Sequence, residues 1–141
     1  MRRMPGSFFD SNVILYLASA DRAKTSRAEQ LLVQRGWISV QVLNECANVL
    51  RRRHGMPWPA LRAFLLELRE GLDVLPVTIE VHDAGLRLAE RYGFAIYDSF
   101  IVAAALAAGC DKLWSEDMQH GLMVEKRLRI VNPFGGALTP P

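Results

Sequence analysis

The sequence is poor in the residues that most often announce a chemistry. Its 141 residues include 2 cysteines and 3 histidines. Cys46 and Cys110 are far apart, form no Cys-x-x-Cys pair and sit in apolar helical surroundings, so they read as buried free thiols and not as a disulfide or a zinc site. That usage suits a reducing cytosol. His54, His82 and His120 lack His-Glu-x-x-His spacing. No Gly-rich phosphate loop appears, and no Ser-His-Asp set has a recognisable context. Internal repeats, linkers and low-complexity blocks are also missing. The longest apolar runs, "VILYLA" and "FIVAAALAAGC", fall short of the roughly 20 residues a membrane span needs. The basic start "MRRMPG" is not followed by the apolar stretch and cleavage site of a signal peptide. These absences lead us to expect a soluble cytoplasmic protein. Neither sign of charge predominates, and a net charge of +2 permits a polyanionic partner without requiring one.

What the chain does have is core-forming material. Half of its residues are hydrophobic and 23% are charged, a globular composition at a length that fits one domain. "FF" at 8–9, "WISV", "LDVLPV", "CDKLWS" and "LRIV" read as short strands. Between them run amphipathic or apolar segments at helical spacing: "VILYLA", Arg22 to Arg35 ended by Gly36, "QVLNECANVLRRRHG", "PWPALRAFLLELREG", "IEVHDAGLRLAERYG" capped by Thr78, and "DSFIVAAALAAG". "EDMQHG" reads as a turn or a single helical turn. Strands alternating with helices predict an α/β fold, a three-layer α/β/α sandwich around a central parallel sheet. The expected organisation is a single domain over 1–141, with an ordered core at about 7–132 and a loose Gly- and Pro-rich tail at 133–141.

In such sheets ligands bind beyond the carboxyl ends of the strands. Three acids share that setting. Asp10 follows the first strand, Asp117 follows "LWS", and Asp98 opens the helix after "FAIY". Taken singly, each is explained by capping the helix it precedes. Glu45 is different, because it lies inside a helix. There Val42, Leu43, Cys46, Ala47, Val49 and Leu50 form the buried arc, with Glu45 at its edge. Its neighbours one turn away are Gln41, Val42, Asn48 and Val49, so the helix offers it no basic partner. Acids gathered at one sheet edge repel one another unless a cation lies between them. Carboxylate oxygens suit Mg²⁺ or Mn²⁺, and such an ion can activate water against a phosphodiester. Protein acids, a metal and a phosphate backbone point to a nuclease.

"FFDSNVILYLA", the internal Glu of "QVLNECANVL", "YDSFIVAAALAAGC" and "LWSEDMQHG" resemble, in that order, the four acidic motifs of PIN domains, most closely those of VapC-type toxins of toxin–antitoxin pairs. The resemblance runs from the first strand to "NPF". It implies that Asp10, Glu45, Asp98 and Asp117 form a catalytic, metal-binding quartet. It further implies a Mg²⁺- or Mn²⁺-dependent endoribonuclease acting on RNA, usually a homodimer, inhibited by a cognate VapB-type antitoxin inserted into the active-site groove. Ser11, Asn12 and Ser115 stand where the family keeps small polar residues, able to orient carboxylates or simply to shape turns. One position departs from the pattern. Many PIN domains carry a further acid two residues after the last Asp, where this chain has Gln119, so a second tightly held metal is not implied.

Other features have plainer explanations. Arg51, Arg52 and Arg53 with His54 can meet RNA phosphates or simply end a helix in solvent. Trp37, Trp58 and Trp114 are scattered, as packing residues are. The helix "PWPALRAFLLELRE" has more apolar surface than one core face needs, and the remainder can serve a dimer or an antitoxin groove. Two rival functions remain: a PIN-like module that binds RNA or protein without cutting, and an aspartyl phosphotransferase of the haloacid-dehalogenase kind. The latter wants a second Asp where this chain has Asn12.

Overall fold

The computed structural model describes residues 6–135. Its sheet has six strands in the order β3-β2-β1-β4-β6-β5. They are β1 (Ser7–Phe9), β2 (Trp37–Ser39), β3 (Asp73–Leu75), β4 (Lys112–Trp114), β5 (Met123–Val124) and β6 (Leu128–Val131). All pairings are parallel except that of β5 with β6. Most strands have only three residues, too few to persist alone, so the sheet depends on being covered on both faces. Phe8, Phe9, Ile38, Leu113 and Ile130 are fully buried within it.

The helices are α1 (Ser11–Leu15), prolonged by a 3-10 turn at Tyr16–Ala18, then α2 (Arg22–Val33), α3 (Val40–Arg52), α4 (Trp58–Gly71), α5 (Ile79–Tyr92) and α6 (Ile96–Ala107). Their starts follow from short polar caps. Asp10 receives the Ser11 N–H, Asp21 that of Lys24, Ser39 that of Val42 and Thr78 that of Val81. The chain steps outward from β1 to β2 to β3 through α1–α4, then crosses back through α5 and α6 to β4 on the other side of β1. With right-handed crossovers, this sets α1–α4 on one face and α5–α6 on the other. The three-layer sandwich is therefore observed.

Several local expectations need correction. The segment Ile96–Ala107 becomes helical two residues before Asp98, which lies in the first turn of α6 and does not cap it. Beyond β4 "EDMQHG" forms bends and a turn, one of the two forms expected, and leaves Asp117 no helix to cap. The short strand β5 was not anticipated. It makes a hairpin with β6 whose turn places Glu125 and Lys126 at φ of 51° and 57°, left-handed values normally signalled by Gly or Asn. The first residues of the expected tail make contacts with the body of the fold. Pro133 is buried and its carbonyl accepts from Arg27 Nε at 3.1 Å, while the Phe134 ring meets Tyr16 edge-on at 4.8 Å. Residues 1–5 and 136–141, part of the expected tail among them, lie outside the described residues.

The turn after α2 also differs from expectation. The helix ends at Val33, and the left-handed residue is Arg35, at φ 64°. Gly36 is required for a separate reason: a Cβ there would lie 2.6 Å from the Ser7 carbonyl oxygen and 2.8 Å from the Phe9 ring. Both neighbours belong to the central strand, which cannot withdraw without disturbing its two partners. Gly36→Ala should cost about 1–3 kcal/mol by overpacking, read as a lower denaturation midpoint with an unchanged m-value.

Candidate functional site

Strand order reverses direction at β1, because the connections after β1 and β4 lead to opposite sides. Such a switch point opens a crevice at the carboxyl ends of the two strands. Asp10 stands at the end of β1, and its backbone N–H extends the ladder to the Trp114 carbonyl at 3.0 Å. Its side chain is only 3% exposed. One oxygen accepts the Ser11 N–H at 2.7 Å, and the other accepts the Ser115 hydroxyl at 2.8 Å. Capping and placement are thus one interaction, since the bond that starts α1 also fixes the carboxylate.

Asn12 joins the two strand ends. Its Nδ2 donates to Asp10 Oδ2 at 3.3 Å and to Asp117 Oδ2 at 3.1 Å, and its Oδ1 accepts the Glu116 N–H at 3.1 Å. The loop after β4 is held against α1 by this one amide, and with it Asp117. Ser11 makes a similar link on the other side, donating from its hydroxyl to Glu45 Oε1 at 3.3 Å and more weakly to Asp10. Ser11, Asn12 and Ser115 therefore all touch the acids.

Glu45 projects from α3 half-buried. Gln41, one turn before it, donates from Nε2 to Glu45 Oε2 at 3.3 Å and to the Tyr97 carbonyl at 3.0 Å. The second bond ties α3 to the first turn of α6, where Asp98 lies. Gln41 was not singled out from the sequence. Its i,i+4 spacing to Glu45 was the available signal, and Gln…acid pairs at that spacing are favourable. The Tyr97 half of the link joins residues 56 positions apart and leaves no local trace.

The four acids form one electrostatic unit. Burial pushes the Asp10 carboxyl up from 3.8 to about 6, against the pull of its hydrogen bonds, and the charges of Glu45 and Asp98 push the same way. Glu45 is raised by burial and by Asp98, and Asp98 by burial and by Asp117. Among the described residues no basic side chain forms an ion pair with any of them. A cluster that resists its own ionisation wants a cation, and all-oxygen donors select a hard one. Among the described residues no three such groups close into a ready-made cage. The donor set fits a dication that keeps several waters and takes only a few carboxylates directly, which is how Mg²⁺ is usually held.

Neighbouring residues divide sharply from this set. Glu116, adjacent to Asp117, turns away. Its oxygens accept from the Tyr16 hydroxyl at 2.7 Å and from Lys24 Nζ at 3.0 Å, and these contacts lower its pKa. His120 accepts the Asn132 N–H on Nδ1 at 2.8 Å, a structural tie. Trp58 lies under the Arg51 guanidinium at 4.4 Å, and Trp114 is flanked by Arg27 and Lys112 at 5.7 and 5.9 Å. Cys46, below Glu45 on α3, is buried and its thiol is pushed up to about 12, too high to supply a thiolate at neutral pH.

The architecture has known counterparts. Similar solved structures include VapC20 of Mycobacterium tuberculosis, a Sarcin-Ricin loop cleaving toxin (22% identity, TM-score 0.65, 79% of this chain and 89% of that one). A toxin–antitoxin complex from Klebsiella pneumoniae matches over 91% of this chain and 98% of that one, at 17% identity and TM-score 0.69. VapBC2 from Rickettsia felis, bound to a DNA fragment from its promoter, matches at 17% identity and TM-score 0.59 over 79% and 87% of the two chains. At these identities the likeness is one of fold. No curated protein matches the sequence significantly. The PIN domain family profile does match, over residues 7–121, which takes in β1, the helices and all four acids: the chain belongs to the PIN domain family.

Proposed function

We propose that this protein is a metal-dependent endoribonuclease, the toxin of a VapBC-type toxin–antitoxin pair. The observation that carries the reading is the nearly complete burial of Asp10 amid Glu45 and Asp98 with no basic partner. A charge so placed costs stability unless the site has a use for it. Asp10, Glu45, Asp98 and Asp117 hold Mg²⁺ or Mn²⁺, directly or through water. When bound, the ion would supply positive charge at the scissile phosphate and lower the pKa of water, so that water gives up a proton to solvent or a nearby carboxylate and attacks as hydroxide. The protein's own share is positioning. Ser115 and the Ser11 N–H fix the two oxygens of Asp10, Asn12 sets Asp117 beside it, and Gln41 with Ser11 aims Glu45 inward. No Ser or Cys nucleophile is required.

The choice of RNA draws on the family and on VapC20, whose described action is cleavage of the Sarcin-Ricin loop. A VapB-type antitoxin is supported by the toxin–antitoxin complexes among the similar structures and by an apolar groove of about 300 Å³ between α2 and α4, walled by Leu32, Val33, Phe64 and Leu68. A homodimer is supported by exposed apolar side chains near the start of α5 and α6, notably Val77, Ile79, Ile96 and Tyr97. Among the described residues no helix is long and apolar enough to cross a membrane. The reading places the protein in the cytoplasm, where RNA is available.

Two experiments test the site. Single-stranded RNA incubated with Mn²⁺ should be cut by the wild-type protein, and Asp10→Asn should lower the rate at least about a hundredfold. Equal rates would sink the assignment. The second test is thermodynamic. In the folded chain Asp10 titrates at about 6, above its ordinary 3.8, so the folded state holds this proton more tightly than the unfolded state does. The stability contributed by this group is full below 3.8 and is lost as pH rises through 6, a loss of about 3 kcal/mol by neutral pH. Without metal, the melting temperature of the wild type should therefore fall across that interval. Asp10→Asn should flatten the fall and melt roughly 5–10 °C higher at neutral pH. Adding Mn²⁺ should restore stability to the wild type alone, because a protonated or amidated Asp10 cannot serve the ion.

A further inference from the structure

The three consecutive arginines at the end of α3 have different surroundings. Arg51 donates from Nη1 to the Met56 carbonyl at 3.1 Å and covers the Trp58 ring, which fixes the turn into α4. Arg52 is exposed and is not among the residues lining the groove beside the acids. Arg53 and His54, also exposed, line a groove of about 520 Å³ that has Asn12, Val49, Glu116 and Asp117 in its other walls. Among the described residues Arg53 and His54 form no ion pair and no side-chain hydrogen bond. An unspent cation therefore shares an open groove with a member of the acid cluster.

We propose that Arg53, assisted by His54, holds the phosphate of the RNA strand next to the one that is cut. The inference rests on the nuclease reading and adds to it the direction in which the strand leaves the acids. A strand crossing four carboxylates meets repulsion at every phosphate the metal does not serve, and a chain charge of +2 offers little long-range relief. A cation set a short way along the groove supplies that relief locally. The other cation nearby cannot, because Lys24 is held in its pair with Glu116 at 3.0 Å. The guanidinium fork matches two phosphate oxygens, and the imidazole N–H can donate to a third. The groove's volume lies within the range of ordinary ligand sites, and its Leu15, Ala18, Ala20 and Val49 surfaces suit the face of a base or sugar.

The test uses Arg53→Gln and Arg53→Gln/His54→Gln, with Arg52→Gln as a variant that loses the same charge one residue away. Cleavage of a fluorescent single-stranded oligoribonucleotide with Mn²⁺ should show KM raised about five- to tenfold for Arg53→Gln and more for the double variant. Because the contact is made equally before and during the reaction, kcat should stay near wild type. In parallel, binding of the same oligoribonucleotide is followed by anisotropy in the Asp10→Asn background, which leaves the strand intact. There the Arg53 change should weaken affinity and reduce the slope of log K against log salt by about 0.7. Arg52→Gln should change neither quantity by more than about twofold. Equal effects from Arg52 and Arg53, or none from Arg53, would overturn the proposal while leaving the nuclease reading intact. Wild type that binds this RNA through Arg53 yet does not cut it would overturn the nuclease reading alone.

Discussion

The structure turns on one buried carboxylate. Asp10 is removed from water at the end of the central strand, and its hydrogen bonds to the Ser11 N–H and the Ser115 hydroxyl recover only part of the lost hydration. That shortfall, with the charges of Glu45 and Asp98 added, pushes its pKa up to about 6. Much else follows from keeping it there. The Asp10–Ser11 bond begins α1, α1 packs on α3, and α3 carries Glu45. The Ser115 bond sets the end of β4, and beyond β4 the loop brings Asp117 under Asn12. Removing any of these ties would disturb a helix start or a strand end as well as the acid it orients.

Topology explains why acids so far apart in sequence meet at all. A parallel sheet wound in one direction sends all its connecting chain to one side of each strand end. At β1 the winding reverses, and the ends of β1 and β4 lie open between the two sets of helices. Asn12 spans that opening with one side chain, using its amide to donate to two acids and its carbonyl to receive a backbone N–H. An aspartate there would be a close isostere but would bring a fifth charge and lose both donated bonds.

How much of this could be read from the chain depends on how local each cause is. Periodicity exposed α3 and α5, because their buried residues recur every three or four positions, and Thr78 announced its own helix. The buried arc of α3 placed Glu45 at the edge without help from the fold. The start of α6 was set two residues too late, at Asp98, because Ile96 and Tyr97 join the helix with no polar cap before them; Ala95 occupies that position. The β5 hairpin escaped because its turn is made by Glu125 and Lys126, residues with no turn signature. Phe134 sits among Gly and Pro, and only the approach of Tyr16 and Lys24 gives it a place. The Gln41–Tyr97 and Tyr16–Glu116 links join residues 56 and 100 positions apart, and nothing local encodes them.

The pairing of Lys24 with Glu116 has a consequence for the acids beside it. Glu116 is next in the chain to Asp117, and a free carboxylate there would raise the neighbouring pKa values further and compete for any bound cation. Lys24 and Tyr16 instead draw it outward and lower its own pKa, so the extra charge is answered where it arises. The same pairing consumes the lysine. A polyanion approaching along this groove thus meets a neutralised pair on one wall and Arg53 with His54 on another, with the acid cluster ahead. Arg53 and His54 stand past the last turn of α3, whereas the acids come from the ends of β1 and β4, the middle of α3 and the first turn of α6. On the nuclease reading, that spacing is what lets a chain of nearly balanced composition accept so highly charged a polymer.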